Sequence, residues 1–191
     1  MATIGESLEA ALQATATRPI PASPQARMRF LVKTEQGSTR RAAARLGCSQ
    51  RQVERYLAGQ VKRPTPRLAA ALDREVRKSW QPRVRARAIR QAAQRGAIVE
   101  TRARFGFTAA PGSTDDPRMR RITEQLPPDI TGQLLARHVA GAGEAELRDL
   151  LGAGLGHAYF QDRGRRAAGL EVTVTDIDHL DVDLNRAHKE S

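Results

Sequence analysis

Two adjacent hydroxyl side chains, Ser113 and Thr114, stand in the stretch AAPGSTDDP (residues 109–117), directly before Asp115 and Asp116. Proline, glycine and short polar residues predict an exposed loop. Chemistry in this loop would use a hydroxyl beside two carboxylates. The same hydroxyls can instead do no more than hydrogen-bond to the backbone of a turn. The residues by themselves leave both interpretations open.

A second candidate is the acidic segment TDIDHLDVDL (residues 175–184), in which His179 stands among four aspartates. Carboxylates in this number can hold Mg²⁺. Their alternation with Leu180, Val182 and Leu184 favours instead the open face of a strand, where they meet solvent. The four aspartates are Asp176, Asp178, Asp181 and Asp183.

Other catalytic or cofactor motifs are missing from the sequence. There is no glycine loop with the lysine that cradles phosphates, no Ser, His and Asp in a recognisable context, and no paired-histidine zinc motif. The glycines of residues 141–156 follow no strand, which argues against dinucleotide binding. Apart from the late aspartates, the residues therefore offer no recognisable catalytic, metal-binding or cofactor motif.

The element that would position a functional site is a helix-turn-helix, predicted at residues 38–64. One helix over 39–46 and another over 49–57 meet at Gly47, which permits a tight corner. The small side chain of Ala43 lets the helices approach closely. The buried positions would be Ala43, Leu46, Val53 and Leu57. The alternative is an ordinary corner between two helices with a solvated polar face.

The second helix has the start expected of a recognition helix. Ser49, with Gln52 three residues later, indicates a capping box. Polar side chains then point outward near the N-terminal end, where such a helix meets base edges in the major groove. They are Gln50, Arg51, Gln52 and Arg55.

Charge is unevenly distributed along the 191 residues, which carry a net +11. Residues 24–104 have a net charge of +16, whereas residues 1–23 have −1 and residues 105–191 have −4. A basic half before a mildly acidic half favours nucleic acid over an acidic small substrate. The residues predicted to contact DNA are Arg40, Arg41, Gln50, Arg51, Gln52, Arg55, Lys62, Arg63, Arg83, Arg85, Arg87, Arg90, Arg102 and Arg104.

The hydrophobic patterns predict an α+β fold, with an all-helical helix-turn-helix domain followed by a small α+β domain with a mostly antiparallel sheet. Apolar residues alternate over 97–107, and again over 170–174 and 180–184 on either side of an acidic break. We expect an N-terminal arm (1–23), the DNA-binding domain (24–96), the α+β domain (97–185) and a loose tail (186–191). Residues 118–126 add a strand, and two helices follow, the second interrupted by glycines.

Cysteine content, the single tryptophan and the lack of long apolar runs limit the possible classes of protein further. Cys48 is the one cysteine, so the chain has no internal disulfide and no cysteine cluster for zinc. Trp80 ends an apolar stripe, which favours a place in the core over a base-stacking role. No apolar run is long enough for a membrane span, and no signal peptide is evident. We expect a cytoplasmic protein that does not bind membranes.

Several of these segments together resemble the terminal proteins, often called Tpg, that cap linear chromosomes and plasmids of Streptomyces-type actinobacteria. The resemblance covers most of the chain in order and spacing. The segments that carry it are TRPIP (17–21), MRFLVK (28–33), CSQRQVERYLAGQVKRP (48–64), REVRKSWQPRVRARAIRQA (74–92), TRARFGFTAAPGSTDD (101–116) and AYFQDRGRRAAGLEVTVTDIDHLDVDL (158–184).

This resemblance implies a protein primer rather than an enzyme. In that family a side-chain hydroxyl accepts the first deoxynucleotide and becomes covalently linked to the 5′ end of telomeric DNA. The family's acceptor corresponds to Thr114, with Ser113 beside it as the alternative. A telomere-associated partner protein recruits the terminal protein, and a DNA polymerase supplies Mg²⁺ and the deoxynucleotide. The protein would then lie at DNA ends in the nucleoid.

Two other functions remain open from the residues. One is a transcriptional regulator whose α+β domain forms a homodimer or senses a ligand. The other is a nuclease or strand-transfer enzyme that uses the late aspartates, Asp181 among them.

Overall fold

The computed structural model of the protein describes residues 3–108, 117–165 and 170–185. An antiparallel sheet of three strands has the order β2-β1-β3. The helices are Ile4–Ala14 (α1), Pro24–Thr34 (α2), Thr39–Leu46 (α3), Gln50–Leu57 (α4), Pro66–Ser79 (α5), Pro82–Arg95 (α6), Pro128–Ala140 (α7) and Glu144–Leu155 (α8). The strands are Ala97–Thr108 (β1), Arg118–Leu126 (β2) and Glu171–Asp183 (β3). A π-helical turn, Gly156–Phe160, follows α8 and is called the π-turn below.

The predicted α+β class is confirmed: helices come first and the small antiparallel sheet follows. The chain forms two compact units, each with its own hydrophobic core. Residues 16–82 form the helical unit. Residues 1–15 and 83–191 form the α+β unit. None of the described helices has the length and apolar character that a membrane crossing requires.

Helices α2 to α5 of the helical unit each begin at a hydroxyl side chain. Each hydroxyl accepts a hydrogen bond from the backbone N–H three residues later, which satisfies a donor that the first helical turn leaves open. The four capping residues are Ser23, Ser38, Ser49 and Thr65. The apolar sides of the helices enclose a core that includes Met28, Leu31, Val53, Tyr56, Leu72 and Val76.

The corner between α3 and α4 has the predicted form. Gly47 has φ 64° and ψ 37°, a left-handed conformation that glycine adopts without a steric penalty. The N–H of Cys48 then donates to the carbonyl oxygen of Ala43 at 3.0 Å, which closes the end of α3. Tyr56 is buried in the core, whereas Leu57, the residue predicted there, is only partly buried. The two helices and their corner are therefore as predicted, except that Tyr56 rather than Leu57 is the buried residue near the end of α4.

The central strand β1 shows the predicted alternation. Its odd-numbered side chains from Ala97 to Phe105 are buried at 0–1% exposure, against the helices that cover one face of the sheet. Its even-numbered side chains occupy the other face, which is polar. Thr101 is buried but satisfied, because its hydroxyl donates to the carbonyl oxygen of His179 at 2.9 Å.

The acidic break expected between two terminal strands is a bulge within one strand, β3. Arg102 pairs with His179 and Arg104 with Thr175, so β3 has two more residues than β1 over this interval. Because the insertion is even, even-numbered side chains such as Val174 and Leu180 face the core on both sides of the bulge, and Ile177 turns into the core within it, where it is 7% exposed. Simple period-two counting across residues 170–184 did not predict the burial of Ile177.

The glycines of α8 do not interrupt the helix, contrary to expectation. A Cβ at Gly152 would lie 2.7 Å from the carbonyl oxygen of Val172, and one at Gly154 would lie 2.8 Å from Ile130 Cγ2. The missing side chains therefore let α8 pack closely against β3 and α7. They serve helix packing rather than helix termination.

The expected N-terminal arm is wrong for residues 4–14. This stretch is helix α1, whose Ile4, Leu8 and Leu12 lie in the core of the α+β unit at 1–2% exposure. Ser7 donates to the carbonyl oxygen of Leu180 at 2.8 Å. Glu144 accepts the N–H groups of Ile4 and Gly5 at 2.9 and 2.8 Å. An amphipathic helix needs a surface to cover, and here the sheet provides it.

The domain boundaries also differ from those expected at residues 24 and 97, because the compact helical unit spans residues 16–82. Helix α6, assigned from the sequence to the DNA-binding domain, belongs to the α+β unit, where Ala92 is part of the core. The helical unit is therefore an insertion, in sequence, between α1 and α6. The predicted tail, residues 186–191, lies outside the described residues.

Candidate nucleic-acid interface

The net positive charge of the chain belongs entirely to the helical unit. Residues 16–82 contain fifteen Lys or Arg and four acidic residues, which gives +11. The α+β unit contains seventeen of each and is neutral. A polyanion would therefore be attracted to the helical unit.

Three of the four carboxylates in the helical unit lie in ion pairs with its arginines. Arg45 of α3 pairs with Glu75 at 2.8 Å and with Glu35 at 3.1 Å. Burial favours the neutral form of Glu75, but hydrogen bonds from Arg45 and Arg74 outweigh it and hold the pKa of Glu75 below its usual value. Arg27 and Arg77 both pair with Asp73. These pairs connect α2, α3 and α5, so they stabilise the unit.

The other basic side chains of this unit are exposed and have no ion-pair partner within the described ranges. Exposed like charges repel one another, and a bound polyanion would relieve that repulsion. These residues are Arg18, Arg29, Lys33, Arg40, Arg51, Arg55, Lys62, Arg63, Arg67 and Lys78.

Helix α4 presents a polar surface opposite its buried side. Val53 and Tyr56 are 0% and 1% exposed. Arg51 and Arg55 lie one turn apart on the exposed side. A guanidinium can donate two hydrogen bonds to guanine O6 and N7 or contact a phosphate. The predicted Gln52 is half-buried and donates its backbone N–H to Ser49 at 3.2 Å.

Glu54 also lies on the exposed side of α4, and sequence reasoning missed it. Its Oε1 accepts a hydrogen bond from Gln50 Nε2 at 2.9 Å and lies 3.5 Å from the hydroxyl of Thr39. The carboxylate thus orients the Gln50 amide and can itself accept from the amino group of cytosine. Its position four residues after Gln50, one helical turn, is the signal that could have revealed it.

The basic segment after α4 is held against that helix. The hydroxyl of Tyr56 donates to the carbonyl oxygen of Arg63 at 3.1 Å. Gln60 N–H donates to the carbonyl oxygen of Arg55 at 3.0 Å, which ends the helix. The structure thereby holds the backbone of the segment with Lys62 and Arg63 against the C-terminal end of α4.

At the start of α3, two predicted contacts differ in their surroundings. Arg40 is exposed and has no ion pair within the described part of the chain. Arg41 hydrogen-bonds to the carbonyl oxygen of Glu35 and lies 3.6 Å from its carboxylate. Arg40 is therefore the better placed of the two for a phosphate.

The predicted arginine row on α6 includes one residue with an internal role. Arg83, Arg87 and Arg90 are exposed. Arg85 is instead paired with Glu9 at 2.7 Å, and its side chain is only 17% exposed. Its guanidinium holds α1 to α6, so we correct its assignment from DNA contact to structural ion pair. All four lie in the α+β unit, not with the arginines of α4.

Arg102 and Arg104 lie on the polar face of the sheet, opposite acidic residues. Arg102 is 3.7 Å from Asp178, and Arg104 is 3.3 Å from Asp176. This face therefore has mixed charge, unlike a surface that follows a phosphate backbone. Among the described residues, no three His, Cys, Asp or Glu side chains group closely enough to hold a metal ion.

Trp80 and Cys48 are both half-buried in the helical unit. Trp80 packs edge-to-face on Phe30, with ring centroids 5.0 Å apart, and its indole N–H donates to the carbonyl oxygen of Arg18 at 3.1 Å. These contacts indicate a packing role for Trp80. Burial raises the pKa of the Cys48 thiol, which makes it less nucleophilic.

Ser113 and Thr114 lie outside the described residues. The strands on either side of them are described: β1 and β2 pair from Ala97 with Leu126 to Phe105 with Arg118. Residues 109–117 join these two strands in the sequence.

No protein-family model, curated protein or solved structure matches this chain. The features that bear on function are therefore those of the chain itself. They are a helix-turn-helix unit that carries all the net charge and an α+β unit that is neutral.

Proposed function

We propose that the helical unit binds duplex DNA with α4 in the major groove. The observation that carries this proposal is the location of the whole net charge of +11 in a helix-turn-helix unit. Arg51 and Arg55 would reach base edges or phosphates from α4, while Lys62 and Arg63 would contact the backbone.

We further propose that the DNA is the end of a linear replicon and that the chain is its terminal protein. This part rests on the sequence resemblance. The hydroxyl oxygen of Thr114 would attack the α-phosphorus of a deoxynucleoside triphosphate, forming a phosphodiester bond while pyrophosphate leaves. The hydroxyl proton passes to solvent or to a base of the polymerase, and the polymerase supplies Mg²⁺. The chain is then the nucleotide acceptor and not the enzyme.

The hairpin of β1 and β2 supports this role. An acceptor hydroxyl has to enter the active site of another protein, which favours a position between two firmly held strands. Nine residue pairs hold β1 to β2, and β1 is also paired with β3 along most of its length. Residues 109–117 are attached to this rigid base.

The DNA-binding part is tested by fluorescence anisotropy with a labelled duplex from a linear replicon end. The double variant Arg51→Ala/Arg55→Ala should bind at least about tenfold more weakly. Arg29→Ala/Lys33→Ala removes two exposed cations four residues apart on α2 and is the matched control, with an expected change below about twofold. Equal losses in both proteins would mean that α4 does not form the interface.

The priming part is tested by transfer of a radiolabelled deoxynucleotide to the purified protein in the presence of the polymerase and the telomere-associated partner. We expect no labelling of Thr114→Ala and normal labelling of Ser113→Ala. The reverse pattern would move the acceptor to Ser113. DNA binding by a protein that accepts no nucleotide would favour a transcriptional regulator instead.

A further inference from the structure

A half-open cavity of about 300 Å³ lies in the α+β unit, away from the loop of Ser113 and Thr114 in sequence. Its wall is built where α6 ends, β2 ends and α7 begins, and the π-turn closes the remaining side. The polar groups that line it are Arg95, Gln125, His157 and Arg163. This volume is at the lower end of the range for small-molecule sites.

The charge of this cavity is of one sign. Arg95 and Arg163 contribute two guanidinium groups and His157 an imidazole, while no carboxylate is among the lining residues. Neither arginine has an ion-pair partner among the residues that the structure describes. In a unit whose acids and bases balance, two such arginines beside one cavity indicate an anionic ligand.

The wall of the cavity is held in place by hydrogen bonds that leave the cationic groups available. Gln125 Nε2 donates to the carbonyl oxygen of Arg95 at 3.0 Å, which fixes the end of α6 to β2. The N–H of Arg163 donates to the carbonyl oxygen of His157 at 2.9 Å. Arg163 has φ 56°, an uncommon conformation for a residue with a side chain. These bonds fix the backbone at the points from which Arg95, His157 and Arg163 extend.

The π-turn also carries an exposed aromatic ring: Tyr159 follows Ala158, which lines the cavity, but is not itself a lining residue. Tyr159 is two residues from His157 in the same turn and is 39% exposed. Its ring packs on Phe160 at 4.9 Å, and Phe160 packs on Phe107 at 4.8 Å. With only seven aromatic residues in the chain, a cluster here is a notable concentration. Exposed aromatic rings stack on nucleobases.

We propose that this cavity binds the phosphate of a nucleotide, with Arg95, His157 and Arg163 as donors and the base extending out of the cavity to stack on Tyr159. The nucleotide is either a free deoxynucleoside triphosphate or one unit of a single strand. This second site does not depend on DNA binding by the helix-turn-helix.

The test measures binding to the full-length protein of a fluorescent deoxynucleoside triphosphate, of pyrophosphate and of a labelled ten-residue oligothymidylate. We expect Arg95→Ala/Arg163→Ala to weaken all three by at least about tenfold. Arg148→Ala removes an exposed arginine of α8 in the same unit and should change affinity by less than about twofold. Tyr159→Leu should weaken the nucleotide and the oligonucleotide but not pyrophosphate.

Phenylglyoxal modification of the wild-type protein, read by peptide mass spectrometry, provides a measurement that needs no folded variant. Bound nucleotide should protect Arg95 and Arg163 but not Arg148. Lack of protection, or equal weakening by Arg148→Ala, would overturn the proposal. Preferential binding of the triphosphate assigns a free nucleotide, and preferential binding of the oligonucleotide assigns a strand.

Nucleotide binding at the cavity can be distinguished from duplex binding by α4. Arg51→Ala/Arg55→Ala should leave binding of the triphosphate unchanged, because those residues belong to the other unit. Loss of duplex binding with retained nucleotide binding, or the converse, shows which of the two proposals fails.

Discussion

Glu9 and Arg85 form a double hydrogen bond, although they are 76 residues apart. Glu9 Oε1 is 2.8 Å from Arg85 Nη1, and Oε2 is 2.7 Å from Nη2. His138 Nε2 also lies 3.2 Å from Oε2, so one carboxylate connects α1, α6 and α7. Burial would raise the pKa of Glu9, but the hydrogen bonds from His138 and Arg85 outweigh it and lower the pKa to about 2.

The pH dependence of stability should contain a contribution from this carboxylate. Because the folded-state pKa lies below the unfolded value near 4.5, the stabilisation is complete above about pH 4.5. It is lost as the pH falls toward 2. Glu9→Gln should lower the free energy of unfolding at pH 7 by on the order of 2–3 kcal/mol and have a smaller effect at pH 3.

Urea denaturation followed by circular dichroism at the two pH values measures this difference. Glu146→Gln is the control, since its pair with Arg137 at 3.2 Å is on the surface and should contribute less than about 1 kcal/mol. An equal effect of Glu9→Gln at pH 7 and pH 3 would contradict the assigned pKa.

Arg45→Ala should destabilise the helical unit by about 2 kcal/mol, because it leaves Glu75 and Glu35 without their main partner. The fluorescence of Trp80, the only tryptophan, reports unfolding of this unit selectively. Arg29→Ala, on the exposed side of α2, should have little effect. A midpoint unchanged by Arg45→Ala would show that the pairs contribute nothing measurable.

Gly152→Ala should lower the stability of the α+β unit by about 1–3 kcal/mol. The new Cβ would lie 2.7 Å from the carbonyl oxygen of Val172, and neither backbone can move without disturbing the core. Gly143→Ala meets no atom within 4 Å and is the comparison, with a cost below about 1 kcal/mol. Thermal unfolding of the two variants distinguishes close packing from a general effect of replacing glycine.

Arg55→Ala and Arg85→Ala should impair different properties: duplex binding in the first variant and thermal stability in the second. Loss of Arg55 should weaken duplex binding by about 1–3 kcal/mol if it reads a base, or reduce the salt dependence by about one charge if it contacts a phosphate. Arg85→Ala should reduce thermal stability, because the half-buried Glu9 carboxylate loses its guanidinium partner and keeps only His138. Anisotropy titrations at several salt concentrations, beside melting curves, separate the two. A strong loss of DNA affinity without loss of stability in Arg85→Ala would assign Arg85 to DNA contact and contradict its structural role.

Local signals predicted the local structure. Ser49 and Gly47 fixed the start of α4 and the corner before it, because a hydroxyl cap and a left-handed residue act over three or four positions. The alternation of β1 was likewise readable, since one side of that strand faces the core along its whole length.

Long-range relationships were not readable in the same way. The spacing of Ile4, Leu8 and Leu12 shows that α1 has an apolar side but not which surface it covers. The bulge in β3 depends on the register with β1, which no pattern within β3 encodes. For the candidate site, composition located the arginines, whereas the partners of Arg85, Arg102 and Arg104 lie more than 70 residues away and needed the fold.

The insertion of the helical unit between α1 and α6 has a consequence for biosynthesis. Helix α1 leaves the ribosome before the helical unit, and β3, which it covers, leaves after that unit. The helical unit is continuous in sequence and can fold while translation proceeds, whereas Ile4, Leu8 and Leu12 have no complete core to enter until β3 has been synthesised. During that interval the apolar side of α1 is exposed and offers a binding surface to a nascent-chain chaperone.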